Sequence, residues 1–163
     1  MNKIIFDIEA DGLLDTITKI YCVSYVVVGE WKLISVTSPE DIKSLFDGRY
    51  TYIGHNIKDY DLPALKKIYN IDIDSLSYMD TLFVSWYAFP KLKKYGLDDF
   101  GKIFGIEKVK IANDAWKTLS TEVAIERCEG DVKINSKLYV NIVNRLKALY
   151  YTEEDIDHAI KYL

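Results

Sequence analysis

A nine-residue run rich in β-branched and aromatic side chains, Ile20–Val28 (IYCVSYVVV), limits most strongly how this chain can fold. Such a run predicts a buried β-strand. The apolar segment Lys3–Ile8 precedes it, and Gly29 begins a turn that leads into Trp31–Val36. Three strand patterns in succession predict an antiparallel meander at the start of the chain.

Two further apolar segments, Thr51–Ile53 and Leu76–Met79, predict a fourth and a fifth strand, and helical patterns fill the rest of the chain. This order predicts an α/β domain with one mixed five-stranded sheet flanked by helices. Gly130, inside the longest helical pattern, predicts a kink or a split there. The predicted helices are Ser38–Phe46, Asp59–Tyr69, a segment that Asp80 and Thr81 open, Tyr95–Phe104, Leu119–Tyr150 and Thr152–Leu163.

The size of the chain suits one domain, since it has 163 residues and 49% of them are hydrophobic. We expect residues 1–163 to form a single domain, and the Met1 start and helical finish favour a complete chain. No Cys-x-x-Cys pair is present, which excludes a zinc site of the usual spacing. The sequence has no secretion signal and no apolar stretch of membrane-spanning length, so a cytoplasmic protein is expected.

Charge is unevenly distributed along the chain. The net charge of −4 argues mildly against nucleic-acid binding, because contacts with phosphates need Lys and Arg. Pro90–Lys117, however, holds seven lysines against four acidic residues. This pattern fits an ordinary solvated surface, and it also fits a metal-dependent nuclease with an acidic cleft and a basic flank.

Asp7 and Glu9 lie two residues apart at the end of the first predicted strand. Alternate residues of a strand face the same way, so both carboxylates project to one side of the sheet. Two acids beside a buried strand repel each other and lose solvation, and a bound Mg²⁺ would relieve both costs. The alternative is that the strand simply ends there and both acids meet water.

Asp61 and Asp131 are the other two acids of interest. Asp61 follows a polar cluster between a strand and a helix, where an Asp is also a common helix cap. Asp131 lies in the last long helical region, where Arg127 one turn earlier can pair with it. Together with Asp7 and Glu9, these acids can converge at one sheet edge and hold two metal ions about 3.5–4 Å apart.

Three segments carry a resemblance to a known family. They are Asp7–Leu13 (DIEADGL), His55–Asp61 with its Asn-x-x-x-Tyr-Asp pattern, and Cys128–Val132 (CEGDV). Their order and spacing resemble the DEDD (DnaQ-like) 3′→5′ exonuclease superfamily, and most closely the proofreading exonuclease domains of family A phage DNA polymerases. The resemblance extends from Ile4 to about Leu146.

This resemblance implies an RNase H-like fold and a 3′→5′ exonuclease that hydrolyses phosphodiester bonds at DNA 3′ ends. It implies a two-metal mechanism with Mg²⁺ or Mn²⁺, in which one ion activates the attacking water and the other stabilises the leaving oxygen. The metal ligands would be Asp7, Glu9, Asp61 and Asp131.

The resemblance also assigns residues to the substrate. Gly12 and Leu13 would contact the terminal nucleotide, Gly12 through its backbone and Leu13 by wedging against the base. Asn56 would hydrogen-bond near the phosphate or the sugar. Tyr60 belongs to the same set, and with His55 it would help to shape the loop.

The third motif departs from the family at the residue that orients or deprotonates the attacking water. The family has Tyr four residues, or His five residues, before the final Asp, and here those positions hold Arg127 and Glu126. Arginine stays protonated in proteins, so Arg127 cannot act as a base, although it can clamp a phosphate oxygen. Glu126 as the base, and catalysis without a protein base, are the alternatives.

The sequence is therefore compatible with two functions. The first is an exonuclease acting on single-stranded or frayed DNA, with RNA as a further substrate class. The second is a catalytically weakened module that binds nucleic acid or associates with a polymerase. Four acids converging on one site favour the enzyme, because without metal chemistry their repulsion has no benefit. The expected setting is a bacterial or phage-infected cell, with a DNA polymerase or another replication protein as partner.

Overall fold

The computed structural model describes residues 1–149 and 152–162. In this part of the chain five strands form one mixed sheet in the order β3-β2-β1-β4-β5, which confirms the predicted α/β architecture. The strands are β1 (Asn2–Ala10), β2 (Ile20–Val27), β3 (Ile34–Val36), β4 (Tyr50–Gly54) and β5 (Ser77–Asp80).

The central strand β1 has a different neighbour on each side. It pairs with β2 in the antiparallel direction along its length and with β4 in the parallel direction, from Asn2 to Ile5. Because β4 and β5 also run parallel to each other, the carboxyl ends of β1, β4 and β5 point to the same edge of the sheet. The last part of β1 extends beyond its pairing with β4, and Asp7 and Glu9 lie in that extension.

Helices cover both faces of the sheet, as predicted. Four of them have a side chain that caps the first turn, for example Ser120, which accepts a hydrogen bond from the backbone N–H of Val123. Thr152 caps the last helix in the same way. The helices are α1 (Pro39–Leu45), α2 (Asp61–Tyr69), α3 (Thr81–Ala88), α4 (Leu97–Phe104), α5 (Thr121–Ala148) and α6 (Glu153–Tyr162), with 3₁₀ turns at Ile73–Ser75 and Trp116–Thr118.

The alternation of side chains along β1 divides the core into two layers. Ile4, Phe6 and Ile8 pack in the layer that contains α1 and α2. Ile5 points the opposite way, into the layer built on α5 with α3 and α4. Since the period of a strand is two, the residues that follow Ile5 at alternate positions face α5 as well. The fold thus aims the side chains of Asp7 and Glu9 at the longest helix.

Some predicted details of the elements were wrong. The third strand begins at Ile34 rather than Trp31, because Trp31 has a left-handed backbone (φ 57°) and its N–H closes a turn onto Val27 O. The helix α4 begins at Leu97, since the extended backbone of Gly96 precedes it. The helix α5 is continuous through Gly130, so the predicted split does not occur.

In the described residues, no helix combines the length and hydropathy that a membrane span requires. The prediction that Tyr150 is helical lies outside the described residues.

Gly54 ends β4 where the backbone comes close to its neighbours. A Cβ there would lie 2.1 Å from Ile57 Cγ2 and 3.2 Å from Phe6 O, and both neighbours are buried. We expect Gly54→Ala to lower the free energy of unfolding by roughly 1–3 kcal/mol through overpacking. Gly130→Ala is the matched control, because its Cβ would meet nothing within 4 Å.

Denaturant unfolding of both variants checks this expectation. Gly130→Ala should raise stability by about 0.5–1 kcal/mol, since alanine is the better helix former. Equal effects of the two substitutions would contradict the packing argument at Gly54.

Candidate active site

Three carboxylates meet where β1 faces α5, and two of them belong to buried residues while Asp7 is half-buried. Asp7 and Glu9 come from the extension of β1, and Asp131 comes from the middle of α5. One oxygen from each lies within 4.8 Å of the others, and Glu9 and Asp131 are only 5% and 4% exposed. Strand alternation and the helix above it therefore place three acids at one point between the sheet and α5.

Asp61, the first residue of α2, lines the same cavity but is not part of that tight group. Its Oδ1 accepts a hydrogen bond from the backbone N–H of Ile8 at 3.2 Å. No side chain caps the start of α2 among the described residues, so the capping explanation for Asp61 is wrong. The structure thus brings Asp7, Glu9 and Asp131 together and sets Asp61 beside them against β1.

Burial disfavours the ionised forms of these acids. The pKa of Asp7 is raised well above its usual value by burial and by repulsion from Asp131 and Asp61. Burial likewise raises the pKa of Asp61 to about 8. Burial raises the pKa of Glu9 to about 7, although the nearby Arg127 opposes the shift. The cluster is therefore short of positive charge.

Two cations of the protein partly compensate for these carboxylates. Arg127 Nε lies 2.8 Å from Glu9 Oε1, as an ion pair without hydrogen-bond geometry. Lys108 Nζ lies 3.0 Å from Asp131 Oδ2. Burial still raises the pKa of Asp131, although Lys108 opposes the shift. The proposed pairing of Arg127 with Asp131 is wrong, because the arginine reaches across to β1 instead.

Arg127 is held from several sides. Its guanidinium donates a hydrogen bond to Val109 O, and it lies 5.0 Å above the centre of the Trp116 ring. Arg127 also lines the cavity, whereas Glu126 is exposed and lies outside the cavity lining. The position of Glu126 gives no support to its alternative role as a general base.

Unpaired oxygens remain in the acidic cluster. Among the described residues, Asp7 Oδ2 and Asp131 Oδ1 are buried and have no hydrogen-bond partner. Such atoms are rare in folded proteins because their desolvation is not repaid. Close carboxylate oxygens are the ligands that hard divalent cations prefer. The donor set of Asp7, Glu9 and Asp131 therefore fits a divalent metal ion.

The cavity beside the cluster has a volume of about 630 Å³. Gly12, Leu13 and Tyr60 line it, as the resemblance led us to expect, and the Tyr60 hydroxyl donates a hydrogen bond to Gly12 O. The Leu13 side chain is 72% exposed. Asn56 does not line the cavity, and its backbone N–H binds Asp80 Oδ1 at 2.8 Å. Substrate contacts by these four residues stay predictions.

Asp11 has a role that the sequence reasoning missed. Its carboxylate accepts hydrogen bonds from the Thr18 N–H and hydroxyl and from the Lys19 N–H, and it pairs with Lys117 at 3.4 Å. Burial opposes ionisation, but these hydrogen bonds outweigh it and lower the pKa of Asp11. Asp11 thereby folds back the loop that presents Gly12 at the mouth of the cavity.

His55 lies away from the carboxylates. Its Nδ1 lies 2.9 Å from Thr81 Oγ1 and its Nε2 lies 2.8 Å from Tyr95 O. Burial lowers the pKa of His55 to about 4, so the ring is neutral at pH 7. These contacts tie the end of β4 to α3 and to the start of α4, which agrees with a role in shaping the loop.

The model of the RNase_H superfamily matches residues 4–119. The chain belongs to the RNase_H superfamily. The RNase H-like fold expected from the sequence is thereby confirmed, and the match includes Asp7, Glu9 and Asp61 but ends before Asp131.

Solved structures with the same fold include several nucleases. NrnC of Brucella melitensis with bound Mg²⁺ is 18% identical with a TM-score of 0.70, over 98% of this chain and 80% of that one. Exonuclease X in complex with 5′ overhanging duplex DNA is 16% identical with a TM-score of 0.60, over 96% and 98%. The exonuclease domain of Nibbler from Aedes aegypti is 13% identical with a TM-score of 0.66, over 97% and 85%.

At these identities the likeness shows the fold alone. A search of curated protein sequences gave no significant match. The closer resemblance to phage family A polymerases stays a prediction.

Asp61 should link stability to pH when no divalent ion is present. Its pKa is raised from 3.8 to about 8, so the folded state keeps a proton that the unfolded state releases. The retained proton stabilises the folded state fully below pH 3.8, and this stabilisation is lost as the pH rises to about 8. In EDTA, Asp61→Asn should therefore raise the melting temperature at pH 8 and change it little near pH 4.

Asp59→Asn is the matched control, because Asp59 is exposed and lies two residues earlier, in the turn before α2. Thermal unfolding of both variants across this pH range is the measurement. If the two substitutions shift the melting temperature equally at pH 8, the raised pKa of Asp61 is refuted.

Proposed function

We propose that residues 1–163 form a single-domain, metal-dependent 3′→5′ exonuclease that hydrolyses phosphodiester bonds at DNA 3′ ends. The observation that carries this proposal is the group of carboxylates from Asp7, Glu9 and Asp131 beside an open cavity, two of which have a buried oxygen without a hydrogen-bond partner among the described residues. The superfamily, and the fold shared with nucleases that bind Mg²⁺ or DNA, support it.

Asp7, Glu9 and Asp131 would hold Mg²⁺ or Mn²⁺, and Asp61 at the adjacent wall would complete the set for two ions. When bound, such ions activate the attacking water and neutralise the charge on the leaving oxygen. The protein itself must position the scissile phosphate at the 3′ end between these carboxylates and the cavity wall.

The loop after β1 would hold the terminal nucleotide. Tyr60 fixes Gly12 O by a hydrogen bond, which leaves the Gly12 backbone at the cavity surface. The exposed apolar side chain of Leu13 would press against the terminal base and separate it from its partner. A frayed or single-stranded 3′ end fits this arrangement best, and RNA is a further candidate substrate.

Arg127 would act by charge and not by proton transfer. A guanidinium stays protonated in proteins, so it cannot take a proton from water. Its contacts with Glu9, Val109 O and Trp116 hold its positive charge at the cavity. There it would stabilise the negative charge that develops on the phosphate oxygens.

A second candidate is a nucleic-acid-binding or polymerase-associated module that cuts poorly. The ion pairs of Arg127 and Lys108 with the acidic cluster favour it, because they neutralise carboxylates without any metal. For either function we propose that the protein acts in the cytoplasm of a bacterial or phage-infected cell. A DNA polymerase whose errors the domain removes would be the partner.

Digestion of a 5′-labelled single strand tests the proposal. With Mg²⁺ or Mn²⁺ we expect a ladder that shortens from the 3′ end, and with EDTA we expect no cleavage. Asp7→Asn should slow cleavage about a hundredfold or more, because it removes a charged metal ligand. Asp59→Asn, which removes an exposed carboxylate, should cleave like the wild type.

A parallel assay on an RNA strand of the same sequence decides the preferred substrate. If the folded protein binds the strand but does not cut it with either ion, the exonuclease is refuted and the second candidate takes its place.

A further inference from the structure

A segment between α4 and α5 without α-helix or strand, residues 106–118, crosses the acidic site. It has no strand pairing and contains the 3₁₀ turn Trp116–Thr118. Trp116 O accepts a hydrogen bond from the Tyr21 hydroxyl at 2.6 Å, and Lys117 donates one to Thr16 O at 3.0 Å. Polar contacts with β2 and with the loop after β1 thus hold the 106–118 segment over the cavity.

Lys108 is the residue of this segment that enters the acidic cluster. Its side chain is 22% exposed, and its ammonium group lies 3.0 Å from a carboxylate of Asp131 that is itself buried. The positive charge of Lys108 also favours the ionised forms of Asp7 and Glu9. A single lysine therefore acts on all three members of the group that fits a divalent ion.

The two cations of the site differ in how firmly they are held. Arg127 has contacts with Glu9, with Val109 O and with the ring of Trp116. For the Lys108 ammonium, the polar contact among the described residues is the ion pair with Asp131. Within the described part of the chain, the other oxygen of Asp131 has no hydrogen-bond partner. Lys108 is consequently the cation that can leave at the smaller cost.

A divalent ion bound to Asp131 would lie close to this ammonium group. Like charges a few ångströms apart in a buried site repel each other strongly, since little water screens them. The long, flexible stem of a lysine allows its head group to swing away, and the 106–118 segment is open to solvent on its outer side at Lys110.

We propose that Lys108 is an internal counter-ion of the active site, which holds Asp131 in the metal-free protein and gives way when a divalent cation binds. This inference rests on the proposed function, because it requires the acidic cluster to be a metal site. Lys108 then sets the metal affinity, and it keeps the buried carboxylates compensated when metal is scarce.

Mn²⁺ binding, measured by calorimetry, tests the proposal without an activity assay. Lys108→Gln should bind Mn²⁺ at least about threefold more tightly than the wild type, because the ion no longer competes with an ammonium group. In EDTA the same variant should melt at a lower temperature, since Asp131 has lost its partner. A residue with only a structural role would lower the melting temperature without tightening the binding.

Lys110→Gln is the matched control, because it removes the same charge from the same segment at an exposed position. It should leave Mn²⁺ affinity within about twofold of the wild type, as expected for a screened surface charge. Lys108→Arg, which keeps the charge, should also bind Mn²⁺ no more tightly than the wild type. This second variant covers the case in which Lys108→Gln does not fold.

The outcomes separate the two proposals. If the wild type and Asp7→Asn bind Mn²⁺ equally, or neither binds it, the metal site itself is refuted, and the role of Lys108 with it. If the wild type binds Mn²⁺ and Asp7→Asn does not, the metal site stands. Equal affinities of Lys108→Gln and Lys110→Gln would then overturn the counter-ion role alone.

Discussion

Mutual repulsion between buried carboxylates is the constraint around which this domain is arranged. Asp7 and Glu9 sit on the same strand and Asp131 faces them from α5, in a layer that is mostly apolar. Nothing in the hydrophobic core favours that arrangement, so it persists because the rigid sheet and a 28-residue helix enforce it. The apolar packing of β1 against α5 supplies the stability that the acidic cluster removes.

The compensation for this repulsion comes from Lys108, outside the family motifs, and from Arg127, at the position where the third motif departs from the family. Lys108 arrives on an irregular segment and Arg127 on the helix that carries Asp131. Val109 and Trp116, from the same segment as Lys108, hold the arginine in place. A short stretch without α-helix or strand thus controls the charge balance of the site.

The sequence predicted those features that local patterns encode. The β-branched run of β2 and the period of two along β1 were enough to place Asp7 and Glu9 on one face. The partner of Asp131 could not be found in this way, because Lys108 is 23 residues distant and no periodicity relates the two. The same limit misplaced Trp31, whose left-handed backbone depends on the turn around it.

The hydrogen bond that Asp61 accepts from β1 affects how domains of this fold can change in sequence and function. Beyond Ile5 the central strand β1 is no longer paired with β4. The N–H of Ile8 donates its hydrogen bond to the Asp61 carboxylate instead. This side chain therefore stands in for a missing neighbouring strand. A descendant that had abandoned cleavage altogether would still be selected to keep an oxygen acceptor at this position. The presence of Asp61 is accordingly weaker evidence that such a domain has kept its catalytic activity than the presence of Asp7.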